Sequence, residues 1–250
     1  MSTEKIYEQF LAWQRQGGGL EYPDSENLMP MLKAYITPEE AEFLTGFPFK
    51  WKTLEQVADI KDMDPAELEP KLKELSEKGL LVQSFRREIV GYKLADIVFT
   101  FFRASLWPGK TDEPIKSTAP WINKYYPELW EQFRYDQERL MRPFAINETI
   151  EHGTTVLPFE DVVKYIDDRE YYTVSDCPCR IRYELDPDYQ DCDHPKEVCL
   201  HFDDLGRYCV ENGLGREITR DEALEILKEA ADSGLVHGTG NIDEQAPDTI

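Results

Sequence analysis

All five cysteines of this 250-residue chain fall between positions 177 and 209, and nothing before Cys177 carries a thiol. A disulfide framework spreads an even number of cysteines along a chain. A dense group of thiols instead points to metal binding or redox chemistry. The pattern is Cys177-Pro178-Cys179, twelve residues, Cys192, six residues, Cys199. Thiolates are soft, charged ligands, and four of them set tetrahedrally suit either zinc or an iron–sulfur cluster. The C-x-C pair sits on an irregular turn, and Asp193-His194-Pro195 tightens the loop between the last two ligands. This spacing is neither the doubled C-x2-C of zinc ribbons nor the C-x2-C-x2-C run of ferredoxins. The candidate metal ligands are therefore Cys177, Cys179, Cys192 and Cys199, with buried structural cysteines as the plainer alternative.

Cys209 reads as a small buried residue on a helix face, with a spare ligand as the alternative. Basic residues gather around the thiols: Arg180, Arg182, Lys196, Arg207 and Arg216. A thiolate-ligated cluster carries net negative charge, and nearby cations stabilise it, more so once reduced. Arg180, next to Cys179, is the basic residue assigned to the cofactor. His194 and His201 could each replace a thiolate, but four cysteines already complete a site, so both read as structural.

With 28 basic and 50 acidic residues the net charge is −22. Nucleic-acid affinity comes largely from Lys and Arg neutralising phosphates, so nucleic acid is a disfavoured partner. Anionic membranes are disfavoured for the same reason, and a basic protein partner is favoured. Hydrophobic residues at 41% and aromatics at 12% supply a core. The N-terminal residues are polar with no apolar leader behind them, and no run approaches a membrane span. The expected location is cytoplasmic.

Four parts are expected, giving a mainly α fold with small β elements, an α+β chain. Residues 1–35 form a helical lead-in, with Ile6, Phe10 and Trp13 at helical spacing and a stop at Gly17-Gly18-Gly19. Residues 36–95 carry capping signals at Thr37-Pro38-Glu39-Glu40, Thr53-Leu54-Glu55-Gln56 and Asp64-Pro65-Ala66-Glu67. Three short helices should start near 38, 54 and 65, and the third should stop at Gly79. Leu80-Leu81-Val82 and Tyr92-Lys93-Leu94 then bracket a hairpin. Three helices and a hairpin make a winged-helix-like module. Its third helix is acidic rather than basic, so docking to protein fits it better than DNA. Residues 96–150 are a helical connector, with a helix expected from about 125 to 141. Residues 151–250 form the four-cysteine module: a short helix over Phe159–Ile166, a strand at 171–174, a helix over Asp203–Asn212, and a helix from Thr219 that stops at Gly234. The tail from Gly238 reads as loose.

The segments Met29-Pro30-Met31-Leu32, Thr37-Pro38-Glu39-Glu40-Ala41-Glu42 and Leu75-Ser76-Glu77-Lys78-Gly79-Leu80 resemble the front half of a family of anaerobe 4Fe-4S ferredoxin-type proteins with an N-terminal winged-helix segment. The second half is more similar still. It is carried by Asp176-Cys177-Pro178-Cys179-Arg180, Cys192-Asp193-His194-Pro195-Lys196-Glu197-Val198-Cys199, Gly215-Arg216-Glu217-Ile218, Ala223-Leu224-Glu225-Ile226-Leu227 and Gly234-Leu235-Val236-His237. The resemblance implies one [4Fe-4S] cluster on Cys177, Cys179, Cys192 and Cys199. It also implies a role in electron transfer, or as accessory subunit of an anaerobic oxidoreductase, with a redox protein as partner. Many relatives continue into a cysteine-rich tract and a two-cluster ferredoxin domain, and this sequence ends near where that tract would start; a single cluster is then expected to exchange electrons with a partner, or to serve as a sensor or structural element. Two further readings stand beside it: a structural zinc protein that docks other proteins, and a cluster-dependent transcriptional regulator. No catalytic set of another kind stands out, and four thiolates leave no open iron site. An electron carrier or accessory subunit is expected rather than a catalyst.

Overall fold

The computed structural model describes residues 2–17, 22–86, 89–134, 141–143, 162–189 and 192–240. In chain order the elements are α1 (Thr3–Gln14) with a 3-10 turn at Arg15–Gly17, α2 (Leu28–Tyr35), α3 (Pro38–Leu44), α4 (Leu54–Lys61), α5 (Pro65–Glu77), β1 (Leu81–Arg86) and β2 (Ile89–Leu94). A π-helix (Val98–Ala104) follows, then α6 (Ile115–Arg134), β3 (Met141–Pro143), α7 (Val162–Asp167), β4 (Tyr172–Asp176) and α8 (Pro178–Glu184). The last are β5 (Glu197–Phe202), α9 (Asp203–Glu211), β6 (Arg216–Ile218), α10 (Arg220–Asp232) and β7 (Gly238–Gly240). The chain is thus mixed helix and strand, compatible with α+β. Among the described residues no helix is long and apolar enough to cross a membrane.

Helix starts follow local capping chemistry. Thr37 accepts from the Glu40 N–H, and the Glu40 carboxylate accepts from the Thr37 N–H at 2.8 Å. Thr53 with Gln56 and Thr219 with Glu222 close the same reciprocal box. Each pair satisfies two N–H groups that the first turn leaves unbonded. Asp64 caps α5 differently, accepting from the Ala66 N–H at 2.8 Å. Leu68, Leu72 and Leu75 form the buried face of α5, as their spacing requires. The helix ends at Gly79, whose φ of +74° only glycine adopts without strain. β1 and β2 then pair antiparallel from Leu81↔Leu94 to Arg86↔Ile89.

Two helices and the tail depart from expectation: residues 238–240, read as loose, form β7, which pairs antiparallel with β3. The helix expected over 125–141 is α6, spanning 115–134, and 141–143 is strand. Ile115, Ala119, Ile122, Tyr125, Tyr126 and Leu129 form one buried stripe along α6. Burying that stripe outweighs Pro120 and Pro127 inside the helix, each of which costs roughly 3 kcal/mol. α2 is a second helix within the expected helical lead-in, and it contains Pro30. This proline falls in the first turn, where its missing N–H is not needed, and Leu28, Met31, Leu32 and Tyr35 are buried. Gly18, Gly19, Phe159 and residues 135–140 of the expected helix lie outside the described residues, as does the tail beyond 240.

The chain divides into two units. One comprises Met1–Asp136 and Pro178–Cys192. Its core joins Phe10, Leu32, Leu44, Phe47, Leu68 and Leu72 with Ile122 and Tyr125 of α6 and Ile181 of α8. The other comprises Gln137–Cys177 and Asp193–Ile250. Its three-stranded antiparallel sheet has the order β5-β4-β6. One face of that sheet packs Val174, Leu200, Phe202 and Ile218 against Val162 and Ile166 of α7 and Ala223 and Leu227 of α10. α9 packs on β4, β5 and β6 as well.

Candidate metal centre

Strand alternation sorts the second unit's polar side chains. Thr173 pairs with His201 and Ser175 with Cys199 across β4 and β5, so these four share the face opposite Val174 and Leu200. That face lies under α9 and the turn after it. The Thr173 hydroxyl donates to the Gly206 carbonyl at 3.1 Å, and the Ser175 hydroxyl donates to the Leu214 carbonyl at 2.8 Å. A Cβ on Gly215 would stand 2.5 Å from Ser175 Oγ and 2.7 Å from the Val174 carbonyl oxygen. Only glycine lets the backbone come this close. His201 is fully buried here.

The register slips after Ser175↔Cys199, so that Asp176 pairs with Glu197 and Val198 is the extra residue. Such a bulge re-aims the side chains that follow it. The Lys196 carbonyl closes the end of the ladder, accepting from Cys177 N–H at 2.7 Å and Val198 N–H at 3.0 Å. Cys177 and Cys199 therefore sit on neighbouring, hydrogen-bonded segments, and both are half-buried.

Cys209 on α9 is fully buried. Burial pushes its thiol pKa well up, and the nearby Cys199 adds to the shift, against a hydrogen bond with Ser175 that opposes it. A thiol held protonated in this way is a poor metal ligand. The structure agrees with the packing role expected for it.

In the first unit, Cys179 lies in the first turn of α8, directly after Pro178, and is half-buried. Pro178 at that position is preorganised for a helix start. Cys192 closes the same segment and is half-buried too. α8 is fastened to α6 by Asn123, whose amide donates to the Arg182 carbonyl at 3.2 Å and to the Asp186 carboxylate at 2.8 Å. All five cysteines are thiols.

The basic residues around the thiols separate by partner. Arg216 is bidentate to Glu197, at 2.8 and 2.9 Å. Arg207 lies over the Tyr171 ring at 4.5 Å. Arg180 is half-buried, with an Nε that meets no acceptor. Arg182, which the sequence reading grouped with the others without assigning it a role, is the most buried of these cations, only 8% exposed. Its spacing of three from Cys179 on a helix was the available signal. Tyr126 was missed; nothing in its local sequence marks it.

The donor set fits a thiolate-ligated group in its residue chemistry: Cys177 and Cys199 in one unit and Cys179 and Cys192 in the other are half-buried thiols. Among the described residues, no three or more His, Cys, Asp or Glu side chains stand already gathered as a metal-holding group. Comparison with known protein families, curated proteins and solved structures finds no match to this chain.

Proposed function

We propose that this chain is a cytoplasmic iron–sulfur protein holding one cluster, a [4Fe-4S] centre, on Cys177, Cys179, Cys192 and Cys199. In this reading it acts in electron transfer, or as accessory subunit of an anaerobic oxidoreductase. The carrying observation is the division among the thiols: these four are half-buried, and Cys209 alone is fully buried. The resemblance of Cys177-Pro178-Cys179-Arg180 and Cys192-Asp193-His194-Pro195 to anaerobe ferredoxin-type proteins supports the same reading. When bound, such a cluster supplies reversible one-electron transfer. The chain's own part is to hold the thiols and to set the charge around them through Arg180 and its neighbours.

The segment from α3 to β2 serves as a winged-helix-like docking module in this proposal. Its third helix, α5, exposes Glu67, Glu69, Glu74 and Glu77 against Lys73. An acidic helix repels the phosphate backbone and favours a basic protein surface. A mobility-shift assay at low salt should show no DNA retardation; a salt-sensitive, redox-dependent shift would turn the reading to a transcriptional regulator.

The deciding experiment is anaerobic purification followed by iron, zinc and sulfide analysis and absorption spectra before and after dithionite. About four iron and four sulfide per chain with a visible band that bleaches is the expected result. One zinc per chain, without a visible band or redox response, would replace the proposal with a zinc-stabilised docking protein.

A further inference from the structure

Among the described residues, Arg182 is a buried cation with no carboxylate in ion-pair contact. Its guanidinium lies 4.9 Å from the Tyr126 ring centroid, 5.5 Å from Phe102 and 4.7 Å from Tyr183. Nη2 donates to the Tyr183 hydroxyl at 3.1 Å. Among the described residues, Nε and Nη1 are buried and meet no acceptor. A guanidinium stays protonated at any working pH, so burial cannot be relieved by losing the charge. Aromatic faces offset part of the desolvation cost, but two unmet N–H donors and a full charge remain. Buried charges of this kind are normally paired.

The missing anion is indicated by the helix. Cys179 and Arg182 are three residues apart on α8, which puts them on one face. The Tyr126 hydroxyl, whose ring lies under the Arg182 guanidinium, links the two as well: burial above all raises its pKa, Arg103 and Arg182 oppose the rise, and Cys179 and Asp96 add to it, so the thiol, the guanidinium and the Asp96 carboxylate all act on this one group of the first unit. Arg103 has a carboxylate in its neighbourhood, the buried Asp96. Arg182 has none hydrogen-bonded to it among the described residues.

We propose that Arg182 is the counter-charge of an anionic thiolate-ligated cluster held through Cys179, and that it raises the reduction potential of that cluster. The inference rests on the function proposed above. Reduction adds one negative charge to the cluster, an electron taken from an external reductant such as dithionite. A fixed positive charge stabilises the reduced form more than the oxidised one. Arg182 is thus a positioning residue acting through charge.

The test is an anaerobic redox titration of the full chain and of R182M and R182K, with iron and sulfide analysis of each. R182M should move the reduction equilibrium about tenfold toward the oxidised form, which is 59 mV for one electron. R182K should restore most of it. Removing an unpaired buried charge should leave the metal-free R182M protein at least as resistant to heat as the parent, which a packing role would not allow. If R182M loses the cluster and R182K retains it, the requirement for charge stands on cluster content instead. Full iron and sulfide in R182M with an unmoved potential would overturn the inference and leave the proposed function intact. Loss of cluster and of fold in both variants would also overturn it. A parent protein without iron and sulfide would overturn the function and this inference together.

Discussion

Ser175 and Cys199 stand opposite each other on β4 and β5, and just beyond them the Cys177 amide is tied to the Lys196 carbonyl at 2.7 Å. The pairing places one cysteine on the α9 face of the sheet, and the bulge that follows it sets the direction of the other. Cys209 approaches Ser175 from α9. Three cysteines of one unit thus differ in burial: Cys177 and Cys199 are half-buried and Cys209 is fully buried.

Replacing Cys177 or Cys199 by Ala should abolish bound metal while leaving the far-UV circular dichroism of the chain intact. C209A should keep its metal and lose about 1 kcal/mol, as for removal of one small buried group. Metal analysis with urea unfolding separates the two classes. Loss of metal from C209A would make Cys209 a ligand and undo its assignment to packing.

Two glycines with positive φ should respond unequally to Ala. Gly234 has φ +89° and open space around its Cβ position, so G234A should cost about 1 kcal/mol, the strain alone. Gly79 has φ +74°, and a Cβ there would sit 2.4 Å from Ala104 Cβ. Overpacking adds about 1–3 kcal/mol to the strain. Equal losses in denaturant unfolding would show that the π-helix gives way at Ala104.

T219A should destabilise α10 by about 1 kcal/mol, since both halves of its capping box are formed. T37A should act similarly on α3. Amide exchange in the first turn of each helix would report the loss, and unchanged protection there would mean that tertiary packing, not the cap, holds the helix start.

His237 is 7% exposed, and burial holds its imidazole pKa below the ordinary value of 6.5. The unfolded chain then binds the proton more readily than the folded one. The stability this neutral histidine contributes is present above about pH 6.5 and is lost as the pH falls below it. The stability gap between parent and H237Q should therefore shift against the parent between pH 7.5 and 5.5. A gap independent of pH over that range would mean that His237 titrates alike in both states.

Local chemistry made much of the fold legible. Thr37, Thr53 and Thr219 announce their helices because a cap and its partner lie within four residues, and Gly79 and Gly234 end helices because only glycine takes their φ cheaply. The leucine face of α5 and the strand before Cys177 follow from periodicity alone. Residues 115–134 resisted the same reading. There local sequence argues through Pro120 for a start after it, whereas the outcome depends on a buried stripe whose partners lie far away in sequence. The thiol set was visible as spacing, since ligand chemistry needs only residue type and separation to be suggested. Which cysteine would be sealed under α9, and which arginine would lose its water without gaining a carboxylate, was decided by tertiary structure. Desolvation is a property of everything packed around a group, and Phe102 and Tyr126 reach Arg182 across more than fifty residues of chain.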